Sequence, residues 1–246
     1  MSTTLLGMHM SDGIVNGQTS AVFGAIALAG MGVALMRARG QLDERTAPMA
    51  GLVAAFVFAV QMVNFPVLPG VSGHLLGGAL AALLVGPWLG ALCVGIVLVV
   101  QALLFADGGL TALGTNVTLM ALVTVAVGYG LFALAVRALP RSRATVVGAS
   151  FVAAMLSVPA SALAFVGLYA LGGTADIPLD TLTSAMLGVH LLIGVGEGLI
   201  TAATVSSVLA VRPDLVRGAR HLLPAGHDLA GAPGPGAPGQ PAGQGA

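Results

Sequence analysis

The chain has 246 residues, 57% hydrophobic and 7% charged, with a formal net charge of zero and a mean hydropathy of +1.00. A soluble domain carries about 25% charged residues. That contrast excludes a water-soluble enzyme or nucleic-acid-binding module, and makes the lipid bilayer the solvent of the fold. No nucleic-acid partner is expected.

Apolar stretches fall at 20–37, 46–64, 74–86, 88–106, 115–137, 144–171 and 183–211. A helix needs about 20 residues to cross about 30 Å of hydrocarbon, so the third stretch is short. The expectation is an all-α polytopic membrane protein with seven transmembrane helices, N-terminus outside and C-terminus cytoplasmic. Orientation follows from the nine arginines, since the chain has no lysine. Arg37, Arg39 and Arg45 follow the first stretch. Arg137, Arg141 and Arg143 follow the fifth, and Arg212, Arg217 and Arg220 the seventh. Seven crossings put all three clusters in the cytoplasm, as the positive-inside rule requires. A single helix over 74–106 would be about 50 Å long and would put two clusters outside. The reading is therefore a short helix over 74–86 that turns back at Gly86-Pro87-Trp88 into 88–106. Asp12, Asp107, Asp176 and Asp180 then face outward.

Ahead of the first helix stands Met8-His9-Met10-Ser11-Asp12-Gly13. A chain beginning at Met8 would offer its α-amine, the His9 amide nitrogen and the His9 imidazole, closing a five- and a six-membered chelate ring on one metal. A histidine from elsewhere would complete a square plane, a geometry that points to Ni(II) or Cu(II), with Co(II) a near neighbour. The sequence places Met1–Gly7 before that segment, and an N-terminal start at Met8 is the expectation. The first helix follows arginine-poor sequence and is itself followed by arginines, the reverse of a signal peptide, so it should remain in the protein. Ala21, Ala25 and Ala29 form two small-xxx-small steps along it. Such a face suits either internal packing or docking against a partner helix.

His74 follows the outer loop Pro66–Gly73 and is expected to open the third helix on the same side as His9. There it is either a hydrogen-bonding residue at a helix end or a neutral imidazole ligand, favoured by the positive helix N-terminus. Cys93, the only cysteine, sits mid-helix and is expected to pack. In the last helix Glu197 has no basic residue at its depth, and His190 lies two turns away on the same face. An intramembrane acid is a functional candidate by default. Its structural alternative is a hydrogen bond to a polar residue such as Gln61, Gln101 or Asn116. The span 1–224 reads as one membrane domain, and 225–246, rich in Gly, Pro and Ala, as a disordered cytoplasmic tail. No Walker-type phosphate loop is present.

Several motifs carry a family resemblance. They are Met8-His9-Met10-Ser11-Asp12-Gly13, Asn64-Phe65-Pro66-Val67, Ser72-Gly73-His74-Leu75-Leu76-Gly77-Gly78-Ala79-Leu80 and Gly86-Pro87-Trp88. Further along come Gln101 to Gly109, Ala112-Leu113-Gly114-Thr115-Asn116 and Gly196-Glu197-Gly198. In order and spacing, over about 8–211, the chain resembles the CbiM/NikM family. These are the substrate-capture membrane subunits of cobalt and nickel energy-coupling factor transporters.

The resemblance implies metal ligands Met8 (amine), His9 (two nitrogens) and His74. Ser72, Asn64, Asn116, His190 and Glu197 become supporting or structural polar residues. Ala21, Ala25 and Ala29 become the docking face for a transmembrane coupling subunit. It also implies partner ATPase subunits, an accessory small membrane subunit, residence in the bacterial plasma membrane, and Co²⁺ or Ni²⁺ as cargo, with no resident cofactor and no catalysis by this chain. Cobalt would feed cobalamin synthesis. Two alternatives stand beside this reading: an intramembrane enzyme using His190 and Glu197, and an uncoupled metal-ion pore.

Overall fold

The computed structural model describes residues 9–42, 44, 46–63, 65–68 and 71–222, with the side chains of 65–68, 71–73 and 220–222 left aside. Met8, Asn64, Arg45 and the tail from 225 lie outside the described residues.

Helices dominate. The first, α1, spans Gly17–Ala38 and starts where the Asn16 side chain accepts from the Thr19 N–H at 2.8 Å. It leads to α2, Thr46–Met62. The segment after it folds into a small antiparallel hairpin, β1 (Phe65–Leu68) with β2 (Val71–Gly73). This element adds to the all-helical expectation. Next come α3 (Gly78–Val85) and α4 (Pro87–Leu104), which share Gly86 as the cap between them. The return at Gly86-Pro87-Trp88 is thus where the charge pattern puts it. Pro87 suits a first helical position, where no N–H is needed.

A continuous rod follows: α5 (Leu113–Val117), a π-helical turn over Thr118–Val123, and α6 (Thr124–Ala138). The two longest helices are α7 (Arg143–Gly172) and α8 (Leu179–Val211). Among the described residues five helical segments, counting the α5–α6 rod as one, are long and apolar enough to cross a membrane, and α2 is a shorter apolar helix. Pro159 lies inside α7. It donates no N–H to the Met155 carbonyl one turn earlier. There α8 comes close, since a side chain on Gly194 would strike that oxygen. Cys93 is buried and its thiol donates to the Ala50 carbonyl at 3.4 Å, a packing position as expected.

The third stretch differs from the expectation. His74 does not open a helix: residues 74–77 are non-helical, and α3 begins at Gly78. Two features cause this. Gly77 has φ +77°, a conformation that ends regular chain paths and that glycine adopts without penalty. The main chain of 76–77 is held by polar side chains from other helices, described below. Gly78 is then pressed against α6, where any side chain would meet Thr124. The helix-dipole argument for His74 therefore gives way to a hydrogen-bonding one.

At the other end of the bundle, residues 213–222 form two short 3-10 turns. Val216 and Ala219 are buried there, and Gly218 rests on Phe132 and Leu83. Arg37 stacks over Trp88 at 5.6 Å near the same end.

Candidate metal centre

His9 and His74 meet. Their rings lie 4.9 Å apart, centroid to centroid, tilted by 55°, and both residues are buried. Each is brought there by a non-helical segment.

The segment 9–16 is stitched into two loops at the helix ends. The Asn116 carboxamide grips Met10 on both sides: its oxygen accepts from the Met10 N–H at 3.1 Å, and its Nδ2 donates to the Met10 carbonyl at 3.1 Å. Gly109 N–H donates to the same carbonyl at 2.9 Å. Asp12 accepts from the Thr111 N–H at 2.8 Å and from the Thr111 hydroxyl at 2.5 Å. The hydroxyl bond, then the backbone bond, hold the Asp12 carboxyl below its ordinary value. On the other side Val15 bridges Gly173, and the Asn16 N–H donates to the Gly172 carbonyl at 2.8 Å. Gly108 lies directly under His9 with φ +93°, and a side chain there would press on the His9 Cβ. The glycine pair 108–109 lets the N-terminal segment lie flat on the α4–α5 loop.

His74 sits on the unwound stretch before α3. The Glu197 carboxylate, on α8, accepts from the N–H of Leu76 at 2.7 Å and of Gly77 at 3.1 Å. Gln61 of α2 donates to the Leu76 carbonyl at 2.7 Å. Buried main-chain groups have to be paired, and these two side chains do so where the helix ladder is missing. Glu197 thus bonds main chain 120 residues away in sequence, where the sequence suggested the side chain of Gln61, Gln101 or Asn116. His74 Nδ1 lies 3.0 Å from the Leu75 carbonyl oxygen. A carbonyl only accepts, so Nδ1 carries the proton and the lone pair of the neutral ring sits on Nε2. A main-chain carbonyl behind the ring is the usual support of a metal-ligating histidine.

His9 has a different neighbour. Its Nδ1 lies 3.0 Å from Asp107 Oδ1, a contact that sequence reasoning missed. The only signal was that the charge pattern put both residues on the same side. His9 Nε2 is buried with no hydrogen-bond partner among the described residues. Around the two rings opens a cavity of about 340 Å³, lined in part by Asn116, Met120, Met186 and His190. Among the described residues no three His, Cys, Asp or Glu side chains converge on one point. Ser72 is described by its backbone only, in β2, two residues before His74. Ala21, Ala25 and Ala29 are exposed on α1, on the face away from buried Ala27, Ala34 and Ala38.

A family model described as the cobalt uptake substrate-specific transmembrane region, CbiM, matches residues 9–215. The chain belongs to the CbiM family. A relative from Haloquadratum walsbyi, named as a metal transport protein, is 38% identical over 85% of this chain and 93% of its own. One from Archaeoglobus fulgidus, named for fused nickel transport (NikMN), is 39% identical over 85% of this chain and 68% of its own. The crystal structure of a truncated transition metal transporter superposes with a TM-score of 0.74 at 31% identity, covering 82% of this chain and 99% of that one.

Proposed function

We propose that this CbiM-family chain is the substrate-binding component of an energy-coupling factor transporter that takes up divalent cobalt or nickel. It sits in the bacterial plasma membrane and crosses it seven times with the N-terminus outside. The observation that carries the reading is the pair of buried imidazoles, 4.9 Å apart, on two segments that the fold holds by independent means.

The donor set is the Met8 amine, the His9 amide nitrogen and imidazole, and the His74 imidazole. The six-membered ring runs through the His9 amide nitrogen, Cα, Cβ, Cγ and Nδ1, so Nδ1 has to face the ion. That nitrogen lies against Asp107, and capture trades the Asp107 contact for the metal by a turn of the ring about Cβ–Cγ. At His74 the Leu75 carbonyl fixes the Nδ1–H, and Nε2 is the atom that would bind the ion. Four nitrogens in a plane suit Ni²⁺ and Co²⁺ and exclude octahedral oxygen-seeking ions such as Mg²⁺. The exposed Ala21, Ala25 and Ala29 face would receive the coupling subunit, and partner ATPases would drive release inward.

The decisive experiment compares a chain fixed to begin at Met8 with one that retains Met1–Gly7. The first should bind one Co²⁺ or Ni²⁺ and release protons, because ligation requires a deprotonated amine, whose reference pKa is about 7.7–8.0, and a deprotonated amide. Its affinity should fall steeply below about pH 7. The second, with Met8 reduced to an amide, should lose most of its affinity and this pH dependence. Equal affinity in calorimetric titrations of the two would remove the terminal amine from the site.

A further inference from the structure

At the end of the bundle opposite the histidines, a groove runs along one face of α6. It consists of two adjoining cavities, of about 500 and about 420 Å³, which share Tyr129 and Arg217. The α6 residues that line them include Val125, Ala126, Gly130, Ala133 and Arg137. These recur at three- and four-residue intervals, the spacing of one helix face. At 1.5 Å per residue the run from Val125 to Arg137 is about 18 Å long. Pro87 and Trp88, at the start of α4, line the first cavity. Three arginines line the second: Arg137 in the last turn of α6, Arg141 just after it, and Arg217. Two glycines seat Arg217 there. Gly218 rests on Phe132, and a side chain on Gly86 would strike the Arg217 Cδ. None of the described residues lining either cavity is acidic. The acid of the same terminal segment, Asp214, is held by Arg212 at 2.8 Å and lines neither cavity.

The positive-inside rule asks only that arginines lie on this side of the bilayer. It does not account for three of the nine converging on one largely apolar groove. A ligand that suits both halves of the groove carries a phosphate at one end and hydrocarbon at the other. Guanidinium groups bind phosphate oxygens through paired N–H donors. Tyrosine and tryptophan, here Tyr129 and Trp88, favour the level of lipid headgroups. Basic pockets between membrane helices on the cytoplasmic side recognise anionic headgroups. We propose that the groove is a binding site for one anionic phospholipid. Arg137, Arg141 and Arg217 take the phosphodiester, and an acyl chain lies along Ala126, Gly130 and Ala133 beside Trp88. The inference goes beyond the proposed function and does not depend on the metal centre. A lipid so held ties the α3–α4 return, α6 and the terminal turn together.

Trp88 is the only tryptophan, so its fluorescence reports on this groove. The full chain is reconstituted in phosphatidylcholine vesicles containing phosphatidylglycerol or phosphatidylcholine brominated in the acyl chains, at equal mole fraction. Brominated phosphatidylglycerol should quench Trp88 with an apparent affinity about tenfold or more above that of brominated phosphatidylcholine. Arg137→Gln with Arg141→Gln should remove this preference. Quenching by brominated phosphatidylcholine should stay at the wild-type level in that variant, which shows that the surroundings of Trp88 are kept. Arg143→Gln with Arg212→Gln removes the same charge from the same end, lines neither cavity, and should keep the preference. Equal quenching by the two lipids in wild type overturns the proposal and leaves the arginines to an acidic protein segment. A preference that both double variants lose alike overturns it too, as an effect of surface charge. Inorganic phosphate in excess should leave the preference intact. If phosphate abolishes it, the site takes the free ion and the lipid assignment falls.

Discussion

Two non-helical segments each deliver one histidine to the same place, and they are held in opposite ways. Residues 9–16 lie at one end of the bundle, fastened by many bonds to helix ends and the loops beside them: Asn116 of α5 to Met10, Thr111 to Asp12, and Gly172 and Gly173 at the end of α7 to the strand-like turn at Val15. Residues 74–77 lie within it, fastened by few bonds to helices: Glu197 and Gln61 to the main chain of Leu76 and Gly77. Loops open at low free-energy cost, whereas groups buried among helices open only with the fold. The two histidines therefore differ in kind. His74 sits on the fixed inner segment, and on the proposed function His9 rides on an outer cover whose lifting would leave the bundle folded.

The largest effect expected is on metal binding itself. His74→Ala and His9→Ala should each abolish tight Co²⁺ and Ni²⁺ binding in titration calorimetry, while both variants keep the elution profile and Trp88 fluorescence of the folded protein. If only His74→Ala is silent, the cover contributes no ligand and the comparison fails.

Next in size is the support of the inner segment. Glu197→Ala strands two buried N–H groups, each costing about 1–3 kcal/mol. It should lower the thermal midpoint in detergent and weaken metal binding together. Asn116→Ala frees Met10 at the bundle surface and should weaken binding with a much smaller fall in midpoint. Equal falls would make the outer segment as much a foundation as the inner one.

Gly108→Ala should reduce affinity about tenfold at nearly unchanged stability, because the strained positive φ and the contact with His9 both disturb the seat of the cover. Wild-type affinity would mean that this seat does not set the position of His9.

The smallest effect concerns Asp12. Its carboxyl is held below the ordinary value of 3.8 by the Thr111 bonds. Its contribution to fastening the cover is therefore complete above that value and is lost as pH falls through the lower folded-state value. Cysteine labelling at position 14, in a Cys93→Ala background, should rise only in strongly acidic buffer, and Thr111→Val should bring the rise to higher pH. Labelling independent of pH in both would show that this pair does not hold the segment.

Much of this was legible in the sequence. The lengths of the apolar stretches locate the helices, the arginine clusters locate the return at Gly86-Pro87, and His9 with His74 are the pair that the sequence singles out and the fold brings into contact. The unwound stretch was not legible, because Leu75-Leu76-Gly77-Gly78 continues an apolar run without interruption, and periodicity does not register a main chain held by distant side chains. Its signal was indirect: a carboxylate, Glu197, in a helix without a cation at its depth, beside two adjacent glycines that tolerate unusual backbone. The Asp107 contact with His9 lay beyond reach for another reason, since it depends on how a loop folds across the end of a helix.

Pro159 gives the bundle a joint. Beyond the Met155 carbonyl, which receives no N–H from Pro159, α7 carries Ser161, Ala162 and Phe165, which line the cavity beside the two histidines, on a rod with one fewer internal tie. Across the cavity Leu119 and Met120 belong to the π-helical turn, and Leu76 belongs to the unwound stretch. The chamber is walled at three places by backbone that has departed from the regular ladder. Its volume can therefore change by bending at these places while the helices themselves stay whole.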